Sequence, residues 1–560
     1  MSQVFRNFEA QDKFFAELPK RNELRKHFVS KGPPEKTVRV NVWVNHSFNF
    51  VEPVVAAYSS FFGGRPEFRI SDFDDSLSFA GWVESDLELI WWDPGRYRVS
   101  FEDSSLRTWI LNRITALRLV SSSPIIVCPI FTLQSDVEEL RSAVGGLASV
   151  FVSDLAEDNR ALGLPLLDER MEEVSGSSLS KEAHVLIGRR LACNWIPAAV
   201  YSPIKSVVVD LDNTLYSGVL GEDGVGGVTL TEGHRNLQAM LADVGRKGVF
   251  LGLISKNNLI DVEELFTGRP DFPLKLEDFA AVKISWKNKG EMLAEICNDL
   301  RISQESVVYV DDNLGELMTV RRHLPQVSLI FATPNAEQTR RNLEFQPGLW
   351  RWAYGREDGL RLADLAANRG REKLKALSVT DYLRELGAVL TVSFSENSQA
   401  KRLSGLSSKT NQFNLAQMRL SETEVIGRMT ETGSWVASVE LFDNLSDSGV
   451  IAFVSSHQAE DTLIIDELCV SCRALGRELE DPIIVPVIQS MIGMSGAAQV
   501  KFNWRIGERN KPALDWIGRW ADLETDVPEG VAVGRLEQIM DYKIPTEIII
   551  RRKGGGFAAS

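Results

Sequence analysis

Short apolar runs separated by stretches of helical spacing recur through the first 335 residues. Val38–Val44 reads VRVNVWV, and an apolar-rich segment at 51–62 reads as a helix. Leu87–Trp92 (LELIWW) and Pro124–Ile130 (PIIVCPI) have the length and content of buried strands. Helix-like stretches fall at about 103–121, 135–148 and 179–193. A second series starts near 203. Its strands are Lys205–Val209, Val249–Ile254, Ala280–Ile284, Val307–Val310 and Val327–Phe331, with helices at about 233–247, 259–266, 289–300 and 314–323. Apolar strands alternating with helices predict two doubly wound, Rossmann-like parallel sheets, covered on both faces. Ligands of such sheets gather at the carboxyl ends of the strands.

From about 356 the pattern changes. Residues 356–377 (REDGLRLADLAANRGREKLKAL) read as a charged helical connector. Strands at Ala388–Val392, Trp435–Leu441 and Leu463–Leu468, then a helix at about 476–491, predict an α+β domain. The expected division is 1–195 (helix and arm, then the first sheet), 200–350, the connector 356–377, 378–525, and a C-terminal extension 526–560. The tail RRKGGGFAAS reads as disordered.

Composition narrows the function classes. A net charge of −15 and a pI near 5.1 argue against sequence-independent nucleic-acid binding, which needs a basic face. No run approaches the roughly 18 apolar residues of a membrane span. The N-terminus MSQVFRNFEAQDKFF lacks the apolar core of a secretory signal. Cys128, Cys193, Cys297, Cys469 and Cys472 form no regular framework, and no second pair completes Cys469–Cys472 as a zinc site. The expectation is a cytoplasmic protein.

Asp210-Leu211-Asp212-Asn213-Thr214 directly follows the apolar run Ser206–Val209. Two carboxylates at a strand end can bind a divalent cation, attack phosphorus and shuttle a proton. Asp210 is the candidate nucleophile, forming an aspartyl-phosphate. Asp212 is the candidate acid and base for the leaving oxygen and for water. Thr214 can hydrogen-bond within the turn. Ser255 ends the run VFLGLI and offers a hydroxyl to a phosphoryl oxygen, and Asn257 is a second phosphate-binding candidate. Lys289, opening a helix, would offset the phosphoryl charge, with Lys287 as its rival. Asp311 and Asp312 follow Val307–Val310 and would complete a Mg²⁺ site with Asp210 and Asp212. Strand-end aspartates also cap helices and close turns. Four pieces in order, three of them directly after apolar runs, favour phosphate chemistry.

DLDNT, LISKNN, WKNK and VDDN resemble the four motifs of the haloacid-dehalogenase (HAD) phosphohydrolase superfamily. DLDNTLYSGVLGEDG at 210–224, ISKNN at 254–258 and YVDDNLGELMTVRRHLP at 309–325 look like its FkbH-type subfamily. That resemblance implies Mg²⁺ dependence and the roles given above. Only 40 residues lie between Thr214 and Ser255, and 33 between Ser255 and Lys289. Neither gap holds a sizeable cap domain. Because lids exclude water, the first or third domain is expected to contribute to the pocket.

In the third domain, RALGRE at 473–478 follows LIIDEL and resembles the pyrophosphate loop of GNAT acyltransferases. Amides at a helix N-terminus, with Arg473, Gly476 and Arg477, would bind a coenzyme A or phosphopantetheine phosphate. Glu478 departs from that pattern. Cys472, beside Arg473 at a predicted helix start, is the candidate for a covalent acyl-enzyme. Lys409–Asn414 and Asp443–Gly449 look like further parts of a GNAT-like region, although Asn411, Gln412 and Asn414 could equally satisfy a turn.

The first domain is similar to SGNH hydrolases. Asn45-His46-Ser47 stands where Gly-Asp-Ser is expected, and Ser175–Ser178 stand where Asp-x-x-His is expected. A serine without base and orienting acid is a weak nucleophile, so this domain reads as non-hydrolytic.

The FkbH resemblance implies an enzyme that dephosphorylates 1,3-bisphosphoglycerate and loads a glyceryl group as a thioester on an acyl carrier protein. That product would feed a polyketide-type or related pathway. The alternatives are a plain Mg²⁺-dependent phosphatase of a small metabolite or glycan precursor, and a carrier-protein docking scaffold with vestigial chemistry.

Overall fold

The apolar runs of the first 335 residues form two separate five-stranded parallel sheets. They were located in a computed structural model that describes residues 3–27, 36–97, 103–374, 376–523 and 526–553. The first sheet comprises β1 (Lys36–Val44), β2 (Gly64–Ile70), β3 (Leu87–Trp92), β4 (Ile125–Pro129) and β5 (Val150–Val152), in the order β2-β1-β3-β4-β5. Alternation along β3 explains its apolar content. Leu87, Leu89 and Trp91 enter one core, with the helices Glu52–Phe61 and Lys181–Arg190. Ile90 and Trp92 enter another, with the helices Asp103–Val120 and Gln134–Val144. A strand covered on both faces needs apolar residues at every position. Glu88 is the exception in β3. It is fully buried and accepts hydrogen bonds from Trp43 Nε1 (2.7 Å), Trp82 Nε1 (2.8 Å) and Ser121 Oγ (2.9 Å).

The second sheet comprises β6 (Ser206–Val209), β7 (Phe250–Ser255), β8 (Ala281–Ile284), β9 (Val307–Asp311) and β10 (Ser328–Phe331), in the order β10-β9-β6-β7-β8. β6, β7 and β9 are buried throughout and lie side by side. Their carboxyl ends therefore converge on one edge of the sheet, which positions the site. Both sheets lie in one compact unit, Met1–Tyr354. Gln11 Nε2 donates to Phe331 O (2.8 Å), Arg190 pairs with Glu344 (3.0 Å), and Trp352 Nε1 donates to Trp195 O (3.1 Å).

The second unit, Gly355–Ser560, holds a mixed eight-stranded sheet. Its strands are β11 (Val389–Phe394), β12 (Ser434–Phe442), β13 (Asp447–Ala459), β14 (Thr462–Val470), β15 (Gln499–Arg505), β16 (Ala521–Asp522), β17 (Glu529–Gly534) and β18 (Ile549–Lys553). Their order is β16-β17-β15-β14-β13-β12-β11-β18. The architecture is thus α/β and multidomain, with two parallel sheets followed by a mixed one. The extension expected from 526 onward is not separate, because β17 pairs with β15 and β18 pairs with β11. Residues 551–553 of the tail lie in β18, and 554–560 lie outside the described residues. The connector helix Arg356–Leu374 belongs to this unit as well, through Asp364 and Arg371, which are buried against Asp443 and Arg477. Among the described residues, no helix is long and apolar enough to cross a membrane.

Candidate active site

The turn after β6 sets the site's shape. Asn213 adopts φ 52°, a left-handed conformation that asparagine tolerates better than most residues. Its Oδ1 accepts from Gly218 N (3.0 Å), closing the loop behind Asp210 and Asp212. Asp210, at the end of β6, is 5% exposed. Asp311 ends β9 and is fully buried. Lys289 is the first residue of the helix Lys289–Asp299, whose N-cap Asn288 accepts from Gly290 N (2.8 Å). That cap fixes the helix start and sends the ammonium inward. Lys289 Nζ lies 2.9 Å from Asp210 Oδ1 and 2.7 Å from Asp311 Oδ2. Lys287 instead points outward and pairs with Glu295.

Asp210, Asp311 and Asp312 each bring a carboxylate oxygen within 4.8 Å of the others. Three carboxylates against one ammonium leave a deficit of two positive charges. An all-oxygen donor set with that deficit fits Mg²⁺. Burial, together with Asp311, raises the Asp210 pKa, against the opposing pull of Lys289. Burial and then Asp311 also raise that of Asp312. Lys289 is held well charged, because attraction to Asp210 and Asp311 outweighs the cost of its burial. Asp311 is anchored by Asn313 N (2.8 Å) and by the Tyr309 hydroxyl. A cation must displace protons from carboxylates so raised, so Mg²⁺ affinity should strengthen as pH rises. Calorimetric titration across pH, with protons released on binding, checks this.

Asp212 is not part of that cluster, contrary to its expected place among the metal ligands. Its Oδ1 accepts from the Tyr216 hydroxyl (2.5 Å) and Leu220 N (2.9 Å), and its Oδ2 from Asn257 Nδ2 (2.8 Å). Side chains two residues apart beyond a strand end need not converge, and here the turn separates them. Asn257 also donates to Ser255 Oγ (2.9 Å), so it bridges Asp212 and the Ser255 hydroxyl. Tyr216, Tyr309 and Asn313 were not apparent as site residues from the sequence. The tyrosines stand among apolar residues, and only folding aims their hydroxyls at the two aspartates. Thr214 is buried and its hydroxyl has no hydrogen-bond partner, so it does not brace the turn as expected. Asp212→Asn should lower turnover by about 10²–10⁴ yet leave Mg²⁺ affinity within about threefold, since the side chain lies outside the carboxylate cluster. Parallel calorimetry and steady-state assays would separate the two effects.

The hydrogen-bonding partners of these side chains all come from the second sheet and its loops. The first amide of the helix Leu220–Gly227 holds Asp212. The first domain, one of the two expected to contribute to the pocket, supplies none of these hydrogen bonds among the described residues. In that domain His46 Nδ1 lies 3.0 Å from Ser177 Oγ, and Ser47 Oγ accepts from the Asn49 amide at 3.4 Å. His184 is buried with both ring nitrogens unpartnered. Neither histidine is bonded to Ser47.

The loop at 473–477 departs from its expected role. Gly476 N, the amide meant for phosphate, donates to Glu480 Oε1 (2.8 Å). Arg477 is 2% exposed and binds Asp364 (2.9 Å), Asp443 (3.1 Å) and Ser448 (3.0 Å). An internal carboxylate occupies the amide, and two others hold the guanidinium. Arg473 is half-buried beside them. The helix starts at Glu480, so Cys472 sits in a turn and not at a helix N-terminus. Phe413–Leu415 fills the wedge where β14 and β15 diverge. Leu415 N bonds Leu468 O (3.0 Å), Val470 N bonds Phe413 O (2.9 Å), and Arg505 N bonds Leu415 O (2.9 Å). Asn414 anchors this plug on the buried Glu467 (3.0 Å).

No family model matches the chain, and no curated protein does. Among solved structures, the chain is similar to the N-terminal part of the Bacteroides fragilis protein BF1531, which contains a phosphatase domain and is complexed with Mg. Identity is 20%, with 60% of this chain and 100% of that one covered and a TM-score of 0.47. A HAD family enzyme from Bacteroides thetaiotaomicron, complexed with magnesium and inorganic phosphate, matches at 14% identity over 23% of this chain and 93% of its own, with a TM-score of 0.18. The PaiA N-acetyltransferase of Thermoplasma acidophilum, in complex with coenzyme A, matches at 8% identity over 26% and 98%, with a TM-score of 0.21.

Proposed function

We propose that this chain is a Mg²⁺-dependent phosphatase that transfers a phosphoryl group to Asp210. The buried Asp210–Asp311–Asp312 cluster, with Lys289 Nζ 2.9 Å from Asp210, carries this reading. Asp210 attacks phosphorus. Asp212, held by three donors, gives a proton to the leaving oxygen and takes one from the water that clears the aspartyl-phosphate. Ser255 and Asn257 hold phosphoryl oxygens, and Lys289 neutralises charge on them. Asp210, Asp311 and Asp312 would hold Mg²⁺, which supplies charge stabilisation at the phosphoryl oxygens when bound. All five cysteines are unbridged, which fits a chain working in the reducing cytoplasm.

The fuller reading rests on the resemblance of the motifs at 210–224, 254–258 and 309–325 to FkbH-type proteins. The substrate is then 1,3-bisphosphoglycerate, and a glyceryl group passes to the phosphopantetheine thiol of an acyl carrier protein. The arm docks elsewhere than the 473–477 loop, whose Gly476 amide and Arg477 guanidinium are bonded within the chain. The deciding experiment incubates the enzyme with 1,3-bisphosphoglycerate and a holo carrier protein and weighs the carrier. A glyceryl adduct supports transfer. Phosphate release with an unchanged carrier mass leaves the phosphatase alone, and absence of both leaves the docking scaffold.

A further inference from the structure

Lys256 stands between Ser255 and Asn257 and takes no part in the chemistry proposed for Asp210. Its Nζ lies 2.5 Å from Glu316 Oε1. Glu316 belongs to the first turn of the helix Leu314–His323, which follows β9. β7 and β9 flank β6, about 10 Å apart at the usual spacing of neighbouring strands. The ion pair therefore reaches across the carboxyl end of β6, where Asp210 stands. Burial, then Asp311 and Asp210, raise the Tyr309 pKa, and Glu316 adds to them. Glu316 thus lies within electrostatic reach of the hydroxyl that anchors Asp311.

The charges at this edge select what Lys256 can meet. Asp210, Asp212, Asp311, Asp312 and Glu316 make it acidic, so a second anionic group on a substrate is repelled unless a cation receives it. Between the ends of β6, β7, β8 and β9 and the first turns of the helices that follow, the basic residues are Lys256, Lys287 and Lys289. Lys289 is held among the carboxylates, and Lys287 turns outward to Glu295. The Lys256 side chain is 37% exposed, so a ligand can reach it, and a pair so exposed is readily exchanged. A carboxylate on the substrate gains nothing there over Glu316. A phosphate dianion carries more charge and displaces it. We propose that Lys256 is a specificity-determining residue, which leaves Glu316 to bind a second phosphate of a bisphosphorylated substrate while Asp210 attacks the first. This inference rests on the phosphatase reading of Asp210.

The test uses the full chain with Mg²⁺. Phosphate release is measured from 1,3-bisphosphoglycerate, the bisphosphate probe, and from p-nitrophenyl phosphate, the monophosphate probe. The readout is the ratio of the two kcat/KM values. Lys256→Gln should lower this ratio at least about tenfold, with the change in KM for the bisphosphate. Glu316→Gln should raise it, because Lys256 then has no partner to leave. A pair that only holds the helix Leu314–His323 in place cannot give these opposite signs. Thermal melting verifies that both variants are folded. An unchanged ratio in either variant, or a fall in both, would overturn the proposal and leave the phosphatase reading standing. Absence of phosphate release from both probes by the parent chain would overturn that reading and this inference with it.

Discussion

Asp210→Asn should reduce phosphate release by at least about 10⁴-fold, equivalent to about 5 kcal/mol of transition-state stabilisation. The amide keeps the shape of the side chain but cannot attack phosphorus. Packing at the end of β6 is unchanged, because Val207 and Val209 enter the core independently of this side chain. Lys289 keeps Asp311, 2.7 Å away, as its counter-charge. The loss should therefore appear in turnover, with little change in thermal stability. With p-nitrophenyl phosphate as substrate, the burst of nitrophenol that marks a phosphorylated aspartate should vanish with it. Turnover within tenfold of the parent would remove Asp210 as nucleophile and with it the phosphatase reading. Weakened Mg²⁺ affinity should accompany the loss, since the cluster falls from three carboxylates to two.

Asp443→Ala should cost the second unit about 3–5 kcal/mol. Asp364, Arg371, Asp443 and Arg477 are each 3% exposed or less and balance two negative against two positive charges. Asp443 accepts from Arg371 NH2 (2.9 Å), Arg477 NH1 (3.1 Å) and the amides of Leu445 and Ser446 (2.9 Å each). Truncation leaves two guanidiniums sharing one carboxylate in a dry site. Amide exchange in β11–β14 should accelerate by about 10²–10⁴-fold, the equivalent of that energy. Acceleration under threefold would show that the network does not hold the helix Arg356–Leu374 to the sheet. The same network sets a pH dependence. Burial pushes the Asp364 pKa up, but Arg477 and Arg371 outweigh it and hold it below the usual carboxylate value. Its contribution is therefore complete above the unfolded-state pKa and fades as pH falls through the lowered folded value.

The strands that hold the phosphate site were legible because each is covered on both faces. Ser206–Val209, Phe250–Ser255 and Val307–Asp311 are buried at every position, and the polar residues Ser206, Ser255 and Asp311 stand only at their ends, so the apolar runs stay readable. Two edge strands, β2 and β18, were not legible. β2 (GRPEFRI) alternates between exposed and half-buried, and β18 (IIRRK) is exposed at four of five positions. A strand wet on one side carries the polar residues of a loop, and only its pairing with β1 or β11 marks it as a strand. Likewise β13 carries serines and a histidine between its apolar positions.

The candidate site divides along the same line. Sequence by itself determined which residue types stand at the carboxyl ends of β6, β7 and β9, because each directly follows an apolar run. It also determined that no large cap interrupts them. Tertiary structure alone decided which carboxylates converge. Asp312 joins Asp210 and Asp311, while Asp212, nearer in sequence to Asp210, turns toward Tyr216, Leu220 and Asn257. It also decided the fate of Arg477. A surface arginine at a phosphate loop and a buried arginine between two aspartates look the same in a chain. They differ in whether Asp364 and Asp443, 113 and 34 residues away, fold back upon it. Burial and hydrophobic period are local properties that a chain displays along its length. The partner of a charge is a long-range property, set only when folding brings distant carboxylates into reach.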